Sequence, residues 1–356
     1  MAQVAGEPAS PGTPITPAGG PARTRRVSLP ARKELLERVL SLREGSIIVV
    51  TLIAAIYFST TVTNFLSVAN LKSLIPYFAF LAIMAAGEVF VMTLGEIDLS
   101  IGALYLVTPF AYWKLTQAGV PLVPSVLLAL VIAMGFGAVN GFFTAYVGIA
   151  SFVATLAMLF FLDGLTLIVS HSEEITTPGT SVVHVATFAQ VFGAGTYSEL
   201  FWALGIIVIL QIILSFTRWG LYTVATGGNR LGAAEAGINT RLVLLRNFVL
   251  CSLTAGFAGI LEAVRTSSMS PDPSGSQSDL LLAIAAVIIG GTLMTGGSGT
   301  VVGALIGALF LGILTDGLVV KGVSATYEDL YLGIAIIIAM TVNVYVQRVR
   351  RGSGRA

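Results

Sequence analysis

The chain has 356 residues, of which 55% are hydrophobic and only 10% are charged, and its formal net charge is +1. Soluble globular proteins carry about 25% charged residues, so this composition excludes a soluble enzyme. The near-neutral balance gives no reason to expect nucleic acid as a partner. The single cysteine, Cys251, excludes an intrachain disulfide.

The two ends of the chain differ from the apolar middle. Residues 1–30 are rich in Pro, Gly, Ala and Thr, which predicts a disordered tail. Residues 31–46 have apolar side chains at helical spacing, which predicts a juxtamembrane helix or, alternatively, a helix lying flat on the membrane surface. Residues 347–356 predict a basic cytoplasmic tail.

Residues 47–346 are predicted to form the transmembrane domain. Apolar runs near 20 residues, the length that spans a bilayer, recur along it. They predict an all-α polytopic membrane protein with about ten transmembrane helices, at 47–66, 74–95, 98–117, 123–145, 150–170, 200–217, 243–264, 280–295, 299–319 and 327–346. With a cytoplasmic N-terminus, 15 of the 19 Lys and Arg residues fall on the cytoplasmic side, as the positive-inside rule requires. Both termini are therefore expected in the cytoplasm.

Motifs for catalysis are missing from the sequence. There is no G-x-x-x-x-G-K-[ST] phosphate loop, no H-E-x-x-H metal motif and no G-x-S-x-G elbow. We therefore predict no catalytic residue, no metal site and no cofactor bound by this chain. Six acids lie in or beside the apolar spans without a Lys or Arg clearly inside one, namely Glu88, Glu96, Asp98, Asp163, Glu262 and Asp316. This sparse charge favours a conduit driven by another protein over a proton relay.

Two stretches interrupt the apolar pattern, TLGEIDLSIG at residues 93–102 and GGTLMTGGSG at residues 290–299. Irregular backbone at membrane depth is tolerated where it lines a cavity or is buried in protein, and such breaks point to translocation sites. The candidates for the translocation path are Glu96, Asp98, Asn140, Phe152, Thr155, Gly290, Gly291, Gly296 and Gly297. Packing in the core is the alternative for Asn140, Phe152 and Thr155.

Three interpretations remain open for Glu96 and Asp98. They could bind a coupling cation, or they could accept hydrogen bonds from a polar solute in transit. The third is structural, with Asp98 capping a helix that starts near Leu99, because a carboxylate suits a helix N-terminus.

The long cytoplasmic connection 218–242 predicts a short helix of its own. Gly227 and Gly228 predict a turn, Asn229 suits an N-cap, and Gly237 suits a C-cap. Long connections with their own helix tend to bind something, so we predict a two-turn helix from Arg230 to Ala236 that projects from the membrane.

Four stretches resemble a known family when they are taken together and in order. They are GEIDLSIG at 95–102, NGFFTAYVGIASFVATLAM at 140–158, ATGGNRLGAAEAGI at 225–238 and IAAVIIGGTLMTGGSGTVVGALIGAL at 284–309. The chain resembles the permease subunits of bacterial ABC importers for simple sugars, the ribose/xylose/arabinose/galactose permease family.

The resemblance implies an ABC importer permease fold with broken helices in the bacterial cytoplasmic membrane. It also implies two such subunits, as a homodimer or a pair, two cytoplasmic ATPase domains that handle ATP and Mg²⁺, an extracytoplasmic sugar-binding protein, and alternating access. The residues that would form the ATPase-coupling helix are Gly228, Asn229, Arg230, Gly232, Ala233, Glu235, Gly237 and Ile238. The alternative function is a stand-alone secondary carrier or channel for a small polar solute.

Overall fold

The computed structural model describes residues 44–177 and 186–353, with side chains described as far as residue 342. The predicted tail 1–30 and nearly all of the predicted juxtamembrane helix 31–46 lie outside the described residues. The helices are α1 Gly45–Thr61, α2 Val68–Thr93, α3 Ile101–Gln117, α4 Leu122–Phe142, α5 Ser151–Ser170, α6 Ala186–Ala189, α7 Ser198–Phe216, α8 Arg218–Gly228, α9 Arg230–Glu235, α10 Thr240–Thr266, α11 Pro273–Ile289, α12 Val301–Val320 and α13 Ala325–Ser353.

Irregular and extended segments join these helices. A π-helical turn at Phe143–Val147 prolongs α4, and a kinked segment at Gln190–Ala194, in which Phe192 and Gly193 are not helical, follows α6. Strands β1 Ile175–Thr176 and β2 Ser268–Met269 pair antiparallel. This ribbon is the only β-structure in the described part of the chain, so the all-α prediction is confirmed.

Each predicted span overlaps one helix of the bundle. Seven described helical stretches are long and apolar enough to cross a membrane: Val68–Thr93, Leu122–Val147, Ser151–Ser170, Ser198–Phe216, Thr240–Thr266, Val301–Val320 and Ala325–Val342. Helices α1 and α11 are apolar but shorter. The multi-pass membrane architecture is confirmed, while the exact count of ten spans stays a prediction.

Helix α11 differs from the predicted span 280–295 at both ends. It begins at Pro273, because the side chain of Asp272 accepts a hydrogen bond from the backbone N–H of Ser274 at 3.0 Å and proline suits the first helical position. It ends at Ile289, and Gly291 with φ of 95° turns the chain away. The polar residues 273–279 therefore belong to the helix and not to a loop.

Helices α2 and α10 form the centre of the bundle. In the most apolar 18-residue stretch of each helix, 83% of the residues are buried in α2 and 78% in α10, against 11% in α13. Small residues permit this close packing: a Cβ on Gly87 of α2 would lie 2.9 Å from the Cα of Cys251 in α10. Side chains on the outer helices, such as Phe160 of α5 and Ile209 of α7, are exposed as expected for contact with lipid.

Candidate transport and coupling site

The segment between α2 and α3 folds back into the bundle. Asp98 is fully buried there, and its Oδ1 accepts hydrogen bonds from the backbone N–H and the hydroxyl of Ser100, at 2.9 and 2.6 Å. Helix α3 then begins at Ile101, two residues later than the predicted start near Leu99. Asp98 therefore stabilises the turn that leads into α3, although the N-cap residue of this helix is Ser100 and not Asp98 as predicted.

A second buried carboxyl group, that of Glu88 in α2, holds this turn from the other side. Its Oε1 accepts a hydrogen bond from the backbone N–H of Asp98 at 3.1 Å, and its Oε2 accepts one from the thiol of Cys251 at 3.3 Å. Glu88 thus connects α2, the interruption and α10. It was not among the predicted site residues, although an acid within an apolar span was a usable signal.

Helices α4 and α5 complete the network. The side-chain amide of Asn140 donates to the Ser100 hydroxyl at 2.8 Å, and the backbone N–H of Leu99 donates to Thr155 Oγ1 at 3.0 Å. Asn140 and Thr155 are buried, so these two path candidates do lie beside Asp98. Phe152 does not, because its side chain is 54% exposed on the outside of the bundle.

The remaining intramembrane acids have polar partners elsewhere. Gln277 donates to Asp163 Oδ2 at 3.0 Å, and Asn70 donates to Asp316 Oδ2 at 2.7 Å. Glu262 receives two hydrogen bonds from the guanidinium group of Arg265. These contacts cross-link helices or neighbouring turns, and none of them joins the network around Asp98.

Three glycine-containing segments meet at the end of α2. We call Gly95, Gly227, Gly228, Gly296 and Gly297 the glycine cluster. The backbone N–H of Gly297 donates to the carbonyl oxygen of Thr93 at 2.8 Å, and a Cβ on Gly296 would lie 2.8 Å from both the Gly227 carbonyl oxygen and the Gly95 nitrogen. At the glycine cluster, both predicted interruptions therefore contact the cytoplasmic connection through backbone atoms.

The other two glycine candidates have a different place. A Cβ on Gly290 would overlap the backbone of Gly303, so Gly290 lets α11 and α12 approach closely. Gly291 follows in the left-handed conformation, with φ of 95°. Gly290 and Gly291 form the turn between these helices, whereas Gly296 and Gly297 belong to the glycine cluster.

Helix α9 is the short helix predicted in the cytoplasmic connection. Asn229 Oδ1 accepts a hydrogen bond from the backbone N–H of Gly232 at 2.9 Å, and Gly237 has the left-handed φ of 84° that a C-cap glycine uses. The helix ends at Glu235, one residue before the predicted end. Ala233 is buried and faces the bundle, while Glu235 is exposed.

An ion pair joins α9 to the first interruption. Arg230 Nη1 lies 3.4 Å from Glu96 Oε1, and the side chains are 47% and 19% exposed. The neighbouring Leu231 of the same six-residue helix is 72% exposed. Leu231 was not predicted as a site residue; a single large apolar residue within an otherwise small and polar segment was the available signal.

Comparison with known proteins supports one family. The profile described as the permease component of branched-chain amino acid transport systems matches residues 70–340. The chain belongs to this permease family. The match covers the helices from α2 to the middle of α13, including the network around Asp98, the glycine cluster and α9. Among solved structures, none matches the chain.

Curated relatives of this permease include proteins named for sugars. The ribose import permease protein RbsC of Escherichia coli K12 is 34% identical over 307 residues, covering 85% of this chain and 94% of that protein. The xylose/arabinose import permease protein XylH of Sulfolobus acidocaldarius is 32% identical over 317 residues, covering 86% of each. The D-allose transport system permease protein AlsC of Escherichia coli K12 is 28% identical over 305 residues, covering 85% and 92%.

These relatives confirm the resemblance seen in the sequence. The chain is a permease component of the ABC importer class, a multi-pass protein of the inner membrane, and not an enzyme.

Proposed function

We propose that this permease imports a monosaccharide, a pentose, hexose or related polyol, into the cytoplasm. The names of the ribose, xylose/arabinose and D-allose permeases among its relatives support this class of cargo. An extracytoplasmic binding protein delivers the sugar, and two permease subunits, identical or paired, form the conduit. A separate cytoplasmic ATPase binds ATP and Mg²⁺. Both termini of the permease lie in the cytoplasm.

The observation that carries the proposal is the placement of α9. This helix projects from the bundle with Leu231 exposed, and the glycine cluster attaches its base to the ends of α2 and α11–α12. An exposed apolar side chain on a short projecting helix suits a groove on a partner protein. We assign α9 and its flanking residues as the coupling helix that docks on the ATPase.

This attachment supports transport by alternating access. ATP closes the ATPase dimer and displaces the two coupling helices. Because Gly227 contacts the backbone at Thr93 and Gly297 directly, a displacement of α8 and α9 reaches both interruptions without a flexible side chain between them. The Glu96–Arg230 ion pair adds an electrostatic contact along the same route. The two subunits then open towards the outside and accept sugar from the binding protein.

The first experiment tests docking on the ATPase. The tagged full chain is extracted from its native membrane in mild detergent, and the co-purifying ATPase subunit is quantified. Leu231→Asp should lower its recovery by about tenfold or more, the effect of losing an apolar anchor. The matched control is Leu66→Asp, because Leu66 is 65% exposed but precedes α2, at the opposite end of that helix from the glycine cluster.

Reconstitution tests the cargo. Proteoliposomes with the purified complex should take up D-ribose, D-xylose or D-allose only when ATP is present. L-leucine serves as the competing cargo, since the family profile carries the description of branched-chain amino acid transport. ATP-driven uptake of leucine without sugar would overturn the sugar assignment. Recovery of the chain without an ATPase, together with solute movement in the absence of ATP, would favour a secondary carrier or channel.

A further inference from the structure

A polar recess lies at the opposite end of α10 from the coupling helix. Its volume is about 270 Å³, and side chains of α3, α10 and α11 line it together with the segments around β1 and β2. Four carboxylates face it, those of Glu174, Glu262, Asp272 and Asp279. Helix α10 runs from the cytoplasmic connection to this recess, so under the proposed topology the recess opens to the outside.

Only some of these carboxylates have hydrogen-bond or ion-pair partners in the described part of the chain. Glu262 is paired with Arg265, and Asp272 caps α11. Asp279 forms no hydrogen bond or ion pair with any residue in the described part of the chain. The recess therefore holds hydrogen-bond acceptors that the fold itself leaves without donors.

A buried tyrosine points to a ligand independently of these acids. Tyr105 is 6% exposed and lines the recess, and its ring packs against Phe80 with 5.5 Å between the ring centroids. Its hydroxyl donates no hydrogen bond to another residue within 44–177 or 186–353. The hydroxyl is therefore free to donate a hydrogen bond to a polar molecule bound in the recess.

The chemistry of the lining selects the ligand class. A polyol donates several hydroxyl hydrogens to carboxylates and accepts one from a tyrosine, which matches the mixture found here. Among the described residues, no group of three acids, cysteines or histidines is placed to hold a metal ion. Met269 and Leu106 supply apolar surface for the C–H face of a ring. The volume lies just below the 300–1,000 Å³ typical of pockets for larger ligands, which suits one small ring.

We propose that this recess is an outward subsite in which Tyr105 and Asp279 bind hydroxyl groups of the sugar on its way into the conduit. The assignment rests on the proposed sugar transport, and it adds a defined contact on the external side. Tyr105 is the donor to a sugar oxygen, and Asp279 accepts from a sugar hydroxyl.

The test uses the full chain in lipid nanodiscs and saturation-transfer NMR with D-ribose, D-xylose and D-allose as probes. Tyr105→Phe removes one hydroxyl and keeps the packing on Phe80, so it should weaken binding of the best sugar by about three- to tenfold. Asp279→Asn removes the charge at nearly unchanged volume and should weaken the same sugar.

Tyr112→Phe is the matched control. Tyr112 lies on the same helix, is fully buried and also has a hydroxyl without a partner, but it does not line the recess. Removing the Tyr112 hydroxyl should leave sugar binding unchanged.

ATP-driven uptake by the whole complex tests the outward subsite separately from the sugar cargo. If the wild type takes up sugar while Tyr105→Phe and Asp279→Asn bind it as well as Tyr112→Phe does, the subsite is refuted and the sugar permease stands. If the wild type neither takes up nor binds any sugar of the panel, the subsite and the sugar cargo are both refuted.

Discussion

Two adjacent glycines of α8 offer a sharp test of how the coupling helix is attached. A Cβ on Gly227 would overlap the carbonyl oxygen of Thr93 and lie 2.9 Å from both the Gly297 nitrogen and the Leu94 Cα. These are backbone atoms at the end of α2 and in the segment between α11 and α12, so no side-chain rotation can relieve the contact. A Cβ on Gly228 would find its nearest neighbour, the Gly297 Cα, at 3.8 Å, which is an ordinary contact.

Gly227→Ala should therefore destabilise the permease and Gly228→Ala should not. Forcing a methyl group into a close-packed site costs about 1–3 kcal/mol, and here the displaced atoms also connect α8 to both interruptions. Gly228→Ala gains helix propensity instead, at most about 1 kcal/mol. Thermal unfolding of the purified chain measures stability, and ATP-driven uptake per molecule measures coupling. Equal stability and equal uptake in the two variants would refute the close backbone packing of the glycine cluster.

Two further substitutions separate the acids of the first interruption. Asp98→Ala removes the acceptor of two buried donors on Ser100 and should lower the free energy of unfolding by about 1–3 kcal/mol. Uptake should therefore fall because less permease assembles in the membrane. Normal membrane levels with a selective loss of uptake would contradict this. Arg230→Ala breaks a partly exposed ion pair and should change stability by less than about 1 kcal/mol. ATP hydrolysis should continue, but with less uptake per ATP. Unchanged uptake per ATP would show that the ion pair does not take part in coupling.

Sequence reasoning predicted those parts of the fold that depend on local chemistry. Apolar runs long enough to span a bilayer predicted one helix in each proposed span. The capping preferences of asparagine and glycine predicted Asn229 and Gly237 at the two ends of α9. The start of α11 was missed because its first turn, with Ser276 and Gln277, is polar. The reason is tertiary: Ser276 is buried, and Gln277 donates to Asp163 of α5. Such a contact between distant helices leaves no periodic signal in a single sequence.

The site shows the same division. The two interruptions and the cytoplasmic connection were each visible as glycine-rich departures from the apolar pattern. Their convergence was not, because Gly95, Gly227 and Gly297 are far apart in the chain and touch through backbone atoms that no side-chain pattern encodes. Thr155 and Asn140 were candidates for lining the path, and the structure places them as buried hydrogen-bond partners of the turn before α3.

The two carboxylates of LGEIDLS have opposite environments although only one residue separates them. Asp98 turns into the bundle, where Ser100 satisfies one oxygen and Glu88 holds its backbone from α2. Glu96 turns outwards to Arg230. A buried carboxylate that fixes a turn must keep its geometry, whereas a partly exposed ion pair can break and form at little cost. The interruption thus combines a rigid anchor with a reversible contact, which is the arrangement required if motion of α9 is to reach α2 and α3 without unfolding the turn between them.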